Sequence, residues 1–198
     1  MMCRSLAKRK DGTSFSSFLG WLATHLTVKL GTHAQTAAHG VVLVNATNGG
    51  ASVDALRSTN AADLKGKVLL DIANTLDFSK GMPPSLSISN TDSLTETIQQ
   101  AFPALHVVKT LNTMNASLMV APDLLPERTN VFMSGNEPTA KSKVKEVLHT
   151  IGWADADIID LRDITNARGT EQFLPLWVRL YGALQSPMSN LGIVQGKP

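Results

Sequence analysis

The chain has 198 residues, 43% hydrophobic and 17% charged, with a formal net charge of +2, values that fit one ordinary globular domain with a sizeable core. Basic residues are scattered and aromatics make up only 5%, so the basic stripe with interleaved aromatics expected of a nucleic-acid binder is absent from the sequence. The only cysteine, Cys3, excludes an internal disulfide and a thiolate metal site and fits a reducing cytoplasm, and no apolar run is long enough to predict a membrane span.

Residues 1–27 read as a poorly defined N-terminal segment. It carries the basic cluster Lys8-Arg9-Lys10 and a turn signal at Asp11-Gly12. Within it, FLGWLATHL predicts a short helix with Phe18, Leu19, Leu22 and Leu26 on one side. The same stretch faintly resembles a signal peptide, but polar residues break its apolar core and no A-x-A pattern follows.

From Val28 strand and helix patterns alternate. TVKLG predicts a strand, THAQTAAHG a short helix stopped by Gly40, and VVLVN a strand buried on both faces. SVDALRSTNAADL is helical, with Ser52 as a possible N-cap, and KVLLDIA is a second buried strand. TLDFSKGMPPSLSISN reads as a long loop. SLTETIQQAF opens a helix with Ser93 and Glu96 at capping-box spacing. LHVVKTLN and TNVFMSG are strands. EPTAKSKVKEVLHTIG is a helix that begins at Pro138, ends at Gly152 and presents Ala140, Val144, Val147, Leu148 and Ile151 on one face. ADIIDL is a strand, and a last helix covers roughly residues 164–184, bent near Pro175. The alternation predicts an α/β fold with a mainly parallel sheet, flanking helices and a helical C-terminus.

In open parallel sheets, ligands bind beyond the carboxyl ends of the strands. The residues there are Asn45-Ala46-Thr47, Ile72-Ala73-Asn74 and Asn112-Thr113, so three strands end in asparagine beside small residues. Asparagine supplies both donor and acceptor, and small neighbours admit a flat ligand, which suits an amide-bearing ring such as nicotinamide. Each asparagine alone is better explained as an Asx-turn former; the three in register shift the balance toward a site. Asn48-Gly49-Gly50 marks a strand-to-helix corner whose N–H groups meet a phosphate or merely allow a tight turn. Asp71 is a site carboxylate or a structural one. Lys109, unusual in an apolar run, touches a cofactor phosphate, pairs with Asp71 or points to an edge. Asp160, Arg162, Asp163 and Arg168 read as a solvated charged face. In the last helix Phe173, Leu174, Leu176, Trp177, Leu180 and Leu184 serve either as internal core or as a homodimer surface. The histidines show no metal-ligand spacing.

The runs KVLLDIANTLDFSKGMPPSL, VVKTLNTMNASLMV and DITNARGTEQFLPLWVRLYGAL resemble a bacterial family of NADPH-dependent oxidoreductases, the coenzyme F-420 dependent NADP reductase-like proteins. The resemblance covers the chain from about Trp21 to about Val194. It implies a Rossmann-type domain of the 6-phosphogluconate-dehydrogenase kind and NADP as cofactor. Hydride would pass between the nicotinamide and a deazaflavin, a flavin or a small-molecule redox substrate. It also implies that Asn45, Ala46, Thr47, Ile72, Ala73, Asn74, Asn112 and Thr113 line the nicotinamide side.

The sequence departs from that family in one respect. Members open with a strand, a G-x-G-x-x-G turn and a helix, and this chain contains no G-x-G. Residues 28–198 are therefore expected to form an incomplete Rossmann-type domain lacking its first βαβ unit. Its NADP binding is expected to be weak or lost, and VVLVN is expected to expose a sheet edge.

Overall fold

The computed structural model describes residues 2–3 and 15–196. The cluster at Lys8-Arg9-Lys10 and the turn at Asp11-Gly12 lie outside the described residues. The expected N-terminal helix is α1 (Phe15–Thr24), where Trp21 stacks on His25 with ring centroids 4.0 Å apart. Strand β1 (Met2–Cys3) pairs in parallel with β2 (Leu30–Gly31).

The main sheet has five strands: β3 (Val42–Asn45), β4 (Val68–Asp71), β7 (His106–Thr110), β8 (Val131–Ser134) and β9 (Ile158–Asp160), neighbours in that order. Pairings β3–β4, β4–β7 and β8–β9 are parallel, and β7–β8 is antiparallel. The reversal follows from the connection. After β7 the chain forms only α6 (Ala116–Val120) and a 3-10 turn at Pro122–Leu124. A five-residue helix spans about 7–8 Å, about half the length of β7, too short for a return crossover. The stretch read as a long loop contains a short antiparallel pair, β5 (Leu76–Asp77) with β6 (Ser85–Leu86).

Helices cover both faces of the sheet. On one side Val68, Leu70, Val108, Val131 and Met133 meet Leu118 of α6, Trp153, and Ala140, Val144 and Leu148 of α7 (Pro138–Thr150). On the other, Leu43, Leu69 and Val107 meet four helices: α2 (His33–His39), α3 (Gly49–Arg57), α4 (Ala61–Leu64) and α5 (Leu94–Ala101). The apolar run of β4 is thus buried on both faces, as a central strand requires. Strand β3 departs from the burial on both faces read from its apolar run and has the exposed edge that was also expected of VVLVN. It is the sheet's edge among the described residues, with Val41 69% and Val44 59% exposed. A groove of about 540 Å³ runs along it, lined by Thr36, Val42, Val44, Ala46 and Thr47 among others.

Two caps are also corrected. The N-cap of α3 is Asn48, whose Oδ1 accepts from Gly50 N at 3.0 Å, and Ser52 lies inside the helix, fully buried. Ser93 caps α5 by accepting from Glu96 N at 3.1 Å, but the Glu96 carboxylate accepts from Ser93 Oγ at 2.8 Å and from Arg168 rather than from Ser93 N, which donates to Asp92. Arg168 belongs to α8 (Ala167–Leu184), a single helix with Pro175 inside it. Its guanidinium donates to Glu96 from Nε at 2.8 Å and from Nη2 at 2.5 Å. So Arg168 is not part of a merely solvated face; it ties α8 to α5. Along α8, Leu174 and Val178 are buried, while Leu176, Tyr181 and Leu184 are exposed. Among the described residues no helix is long and apolar enough to cross a membrane.

Gly49 sits where α3 meets β4: a Cβ there would lie 2.4 Å from the Asn74 carbonyl oxygen, whereas one on Gly50 meets only the Asn48 side chain at 3.4 Å. Gly49→Ala is predicted to lose about 1–3 kcal/mol in urea denaturation while Gly50→Ala stays within about 0.5 kcal/mol or gains.

The Arg168 hydrogen bonds, with help from Ser93, hold the Glu96 carboxyl below its ordinary value of 4.5 against the opposing effect of burial. A lowered folded value gives stability that is complete above 4.5 and is lost as pH falls through the folded value. Wild type should therefore lose more stability than Glu96→Gln between about pH 6 and pH 3, read from urea midpoints.

Candidate functional site

The rim expected from the sequence is formed at the carboxyl ends of β3, β4 and β7, three adjacent parallel strands. Asn45 stands in register with Asp71, and Asp71 with Lys109. Asn74 and Asn112 meet side by side. Asn112 Nδ2 donates to Asn74 Oδ1 at 3.0 Å, and Asn74 Nδ2 donates to the Asn112 carbonyl at 3.0 Å. Gly49 N donates to the Asn74 carbonyl at 3.2 Å, which brings the start of α3 to the same place. All eight predicted residues lie on these three strand ends or in the turns that follow them.

Their exposures divide them. Asn45, Ala73, Asn112 and Thr113 are buried; Thr47, Ile72 and Asn74 are half-buried; Ala46 is exposed. Asn45 spends its whole amide inside the protein. Its Nδ2 donates to Ser52 Oγ at 3.0 Å and Asp71 Oδ1 at 2.8 Å. Its Oδ1 accepts from Thr47 N and Oγ1 at 3.3 and 2.7 Å. Both Asn112 amide hydrogens are likewise engaged, the second by the Thr170 carbonyl at 3.0 Å. Of the three asparagines, Asn74 alone is half-buried and has only one of its two amide hydrogens bonded within the chain. Thus the asparagines are not simple turn formers: two of them lace the strand ends and the third keeps one amide hydrogen without a bond inside the chain.

Behind the rim lies a buried ionic cluster. Lys109 is 1% exposed, Asp71 0% and Glu171, from the first turns of α8, 2%. The three ammonium hydrogens have three acceptors: Asp71 Oδ2 at 2.9 Å, Glu171 Oε1 at 2.9 Å and the Ala73 carbonyl at 2.5 Å. Asp71 also accepts from Asn45, from Ala73 N at 3.2 Å and from Thr95 Oγ1 at 2.9 Å. Glu171 accepts from the first N–H groups of α5, Leu94 N at 2.8 Å and Thr95 N at 3.3 Å. A carboxylate at a helix N-terminus takes up donors that the helix cannot satisfy itself. Of the three sequence readings of Lys109, pairing with Asp71 is the one observed. It cannot also reach a phosphate, because it is buried and its donors are used.

The other phosphate candidate behaves similarly. The first N–H groups of α3 are taken: Gly49 N by the Asn74 carbonyl, Gly50 N by Asn48 Oδ1 and Ala51 N by the Asn48 carbonyl at 2.8 Å. The corner is a packed turn, and its N–H groups are not open to a phosphate. The residues present fit the ring end of a nicotinamide nucleotide, with exposed Ala46, half-buried Ile72 and Asn74. They do not form a pyrophosphate cradle.

Three features escaped sequence reading. Glu171 and Thr95 lie on helices far along the chain from Lys109, with no spacing to link them. Leu111 follows β7 in a left-handed conformation, φ 62°, although it is a buried leucine. Such a backbone costs about 1–2 kcal/mol in a non-glycine residue, and here it sits immediately before Asn112.

No protein-family model matches the chain. Among solved structures, a candidate F420-dependent NADP reductase from Arthrobacter sp. FB24 is 51% identical, with a TM-score of 0.86 over 90% of this chain and 80% of that one. A hypothetical protein of Sinorhizobium meliloti is 22% identical, with a TM-score of 0.56 over 75% of this chain and 69% of that one. An imine reductase from Myxococcus stipitatus, solved with NADP+, is 18% identical, with a TM-score of 0.54 over 86% and 54%. The last two share the fold. The identity to the Arthrobacter protein extends over most of both chains, and so this chain belongs to the F420-dependent NADP reductase-like family of Rossmann-type proteins.

Proposed function

We propose that this chain is an NADP-linked oxidoreductase whose rim holds the nicotinamide end of the cofactor. Hydride would pass between that ring and a deazaflavin such as coenzyme F-420, a flavin or a small acceptor. The observation that carries the reading is the convergence of Ala46, Thr47, Ile72, Asn74 and Asn112 at three neighbouring strand ends in a chain half identical to a candidate F420-dependent NADP reductase. The cofactor supplies the redox chemistry when bound, and the protein orients it. Asn74 is the side chain proposed to meet the carboxamide. Asn112 holds Asn74 in place, Asn45 and Thr47 brace the neighbouring turn, and Ile72 with Ala46 offers apolar contact to the ring.

Grip on the cofactor is proposed to be one-sided. The 198 residues contain no G-x-G, and both groups that sequence offered for a phosphate are engaged inside the fold. A second reading, a non-catalytic interaction module that pairs as a homodimer through α8, is favoured by one observation: Leu176 is 52%, Tyr181 44% and Leu184 59% exposed on that helix.

Fluorescence titration separates these readings. NADPH should bind saturably but with Kd above about 100 μM, and reduced nicotinamide mononucleotide should bind within about threefold of it, because only the ring end is held. Asn74→Ala should weaken both about tenfold. Absence of binding by either nucleotide, together with a dimer that Leu184→Glu dissociates, would replace the enzyme reading with the interaction module.

A further inference from the structure

The buried cluster touches every element of the rim, yet it presents no group to a ligand. Lys109 donates to the Ala73 carbonyl, the peptide unit that leads into Asn74. Asp71 holds Asn45 and Ala73 N. Glu171 reaches across from α8, and the residue before it, Thr170, accepts from Asn112 through its backbone carbonyl. Thr95 Oγ1 lies 2.9 Å from Asp71 Oδ2 and 3.1 Å from Glu171 Oε1, so its one hydrogen bridges the two carboxylates by turns.

From this geometry we infer that Lys109, Asp71 and Glu171 form a positioning cluster that clamps the Ala73–Asn74 peptide between β7 and α8 and so sets the Asn74–Asn112 pair at the rim. The inference rests on the cofactor reading for its consequence, but the clamp itself is a property of the chain without ligand. Three hydrogens on one ammonium of β7 meet three acceptors, at the end of β4, in the turn that follows it and on α8. Loss of any arm frees Ala73 or α8 to move, and Asn74 moves with them. A fully satisfied polar network rigidifies what it connects. Leu111 adds to the case: a left-handed leucine persists only where its surroundings hold it, and it delivers Asn112 to the pair.

Because Lys109→Met would strand two carboxylates in the core, the test uses Glu171→Gln and Thr95→Val, which each remove part of the network and keep its volume. Amide hydrogen exchange is followed in both variants, in wild type and in Lys141→Ala, which breaks a pair with Asp160 and a hydrogen bond to the Arg162 carbonyl and touches no member of the cluster. The clamp predicts that amides of residues 72–75 and 111–114 exchange at least about tenfold faster in Glu171→Gln, and faster to a lesser degree in Thr95→Val. Amides of β8 and α7 should keep wild-type rates, and Lys141→Ala should change none of these. Rim amides within about twofold of wild type, or acceleration of all amides together, would overturn the inference by making the cluster inert or merely part of global stability. Adding NADPH to wild type tests the other reading separately. If it fails to slow the rim amides, the cofactor assignment falls, while local acceleration in the variants still establishes the clamp.

Discussion

A lysine in the middle of a buried strand has to be neutralised and hydrogen-bonded, or it costs the fold several kcal/mol. Lys109 meets that demand with two carboxylates and one carbonyl, drawn from the end of β4, the turn just after it and distant α8. Asp71 ends β4, Ala73 begins the rim turn, and Glu171 opens α8 while capping α5. Satisfying one ammonium therefore fixes the strand ends, the start of one helix and the docking of another. The Arg168–Glu96 pair repeats the connection between α8 and α5 nearer the surface. With these two ion pairs α8 is held at its first turns; farther along, Leu174 and Val178 are buried while Leu176, Tyr181 and Leu184 are exposed.

Much of the fold was legible in the sequence because its signals are local. Apolar β-branched runs marked β4 and β7, the Pro138 start and Gly152 stop bounded α7, and Asn, Gly and Ser clusters marked the strand ends. The eight rim residues came from the same rule, that ligands sit beyond the carboxyl ends of parallel strands. What local pattern could not supply was partnership. Asp71 and Lys109 were visible as odd charges near apolar runs, but Glu171 lies 62 residues beyond Lys109 on a helix whose pattern gave no hint of it. Nor does anything in a leucine announce the left-handed turn at Leu111. The reversal of β8 and the exposed face of β3 also depend on neighbours, which a run of apolar residues does not name.

Asparagines at strand ends suggested three ligand-facing amides, yet hydrogen-bond accounting leaves only Asn74 with an amide hydrogen to spare. Asn45 and Asn112 act inward, as do the N–H groups of the Asn48-Gly49-Gly50 corner. In the proposed site a ring with a carboxamide would have one partner, Asn74, on a floor of small and apolar residues. A pyrophosphate finds none among the groups that the sequence had offered for it. How firmly Asn74 is held in that proposed site returns to Lys109, which donates to the Ala73 carbonyl.

The most direct test of that dependence is a double-mutant cycle between Lys109 and Glu171. Lys109→Met, Glu171→Gln and the combined variant are compared with wild type by urea denaturation. If the ammonium and the carboxylate stabilise the fold through one another, the two single losses together exceed the loss in the combined variant by about 2 kcal/mol or more. Losses that add to within about 0.5 kcal/mol would show that the two groups act independently, and the account of a single buried keystone would be wrong.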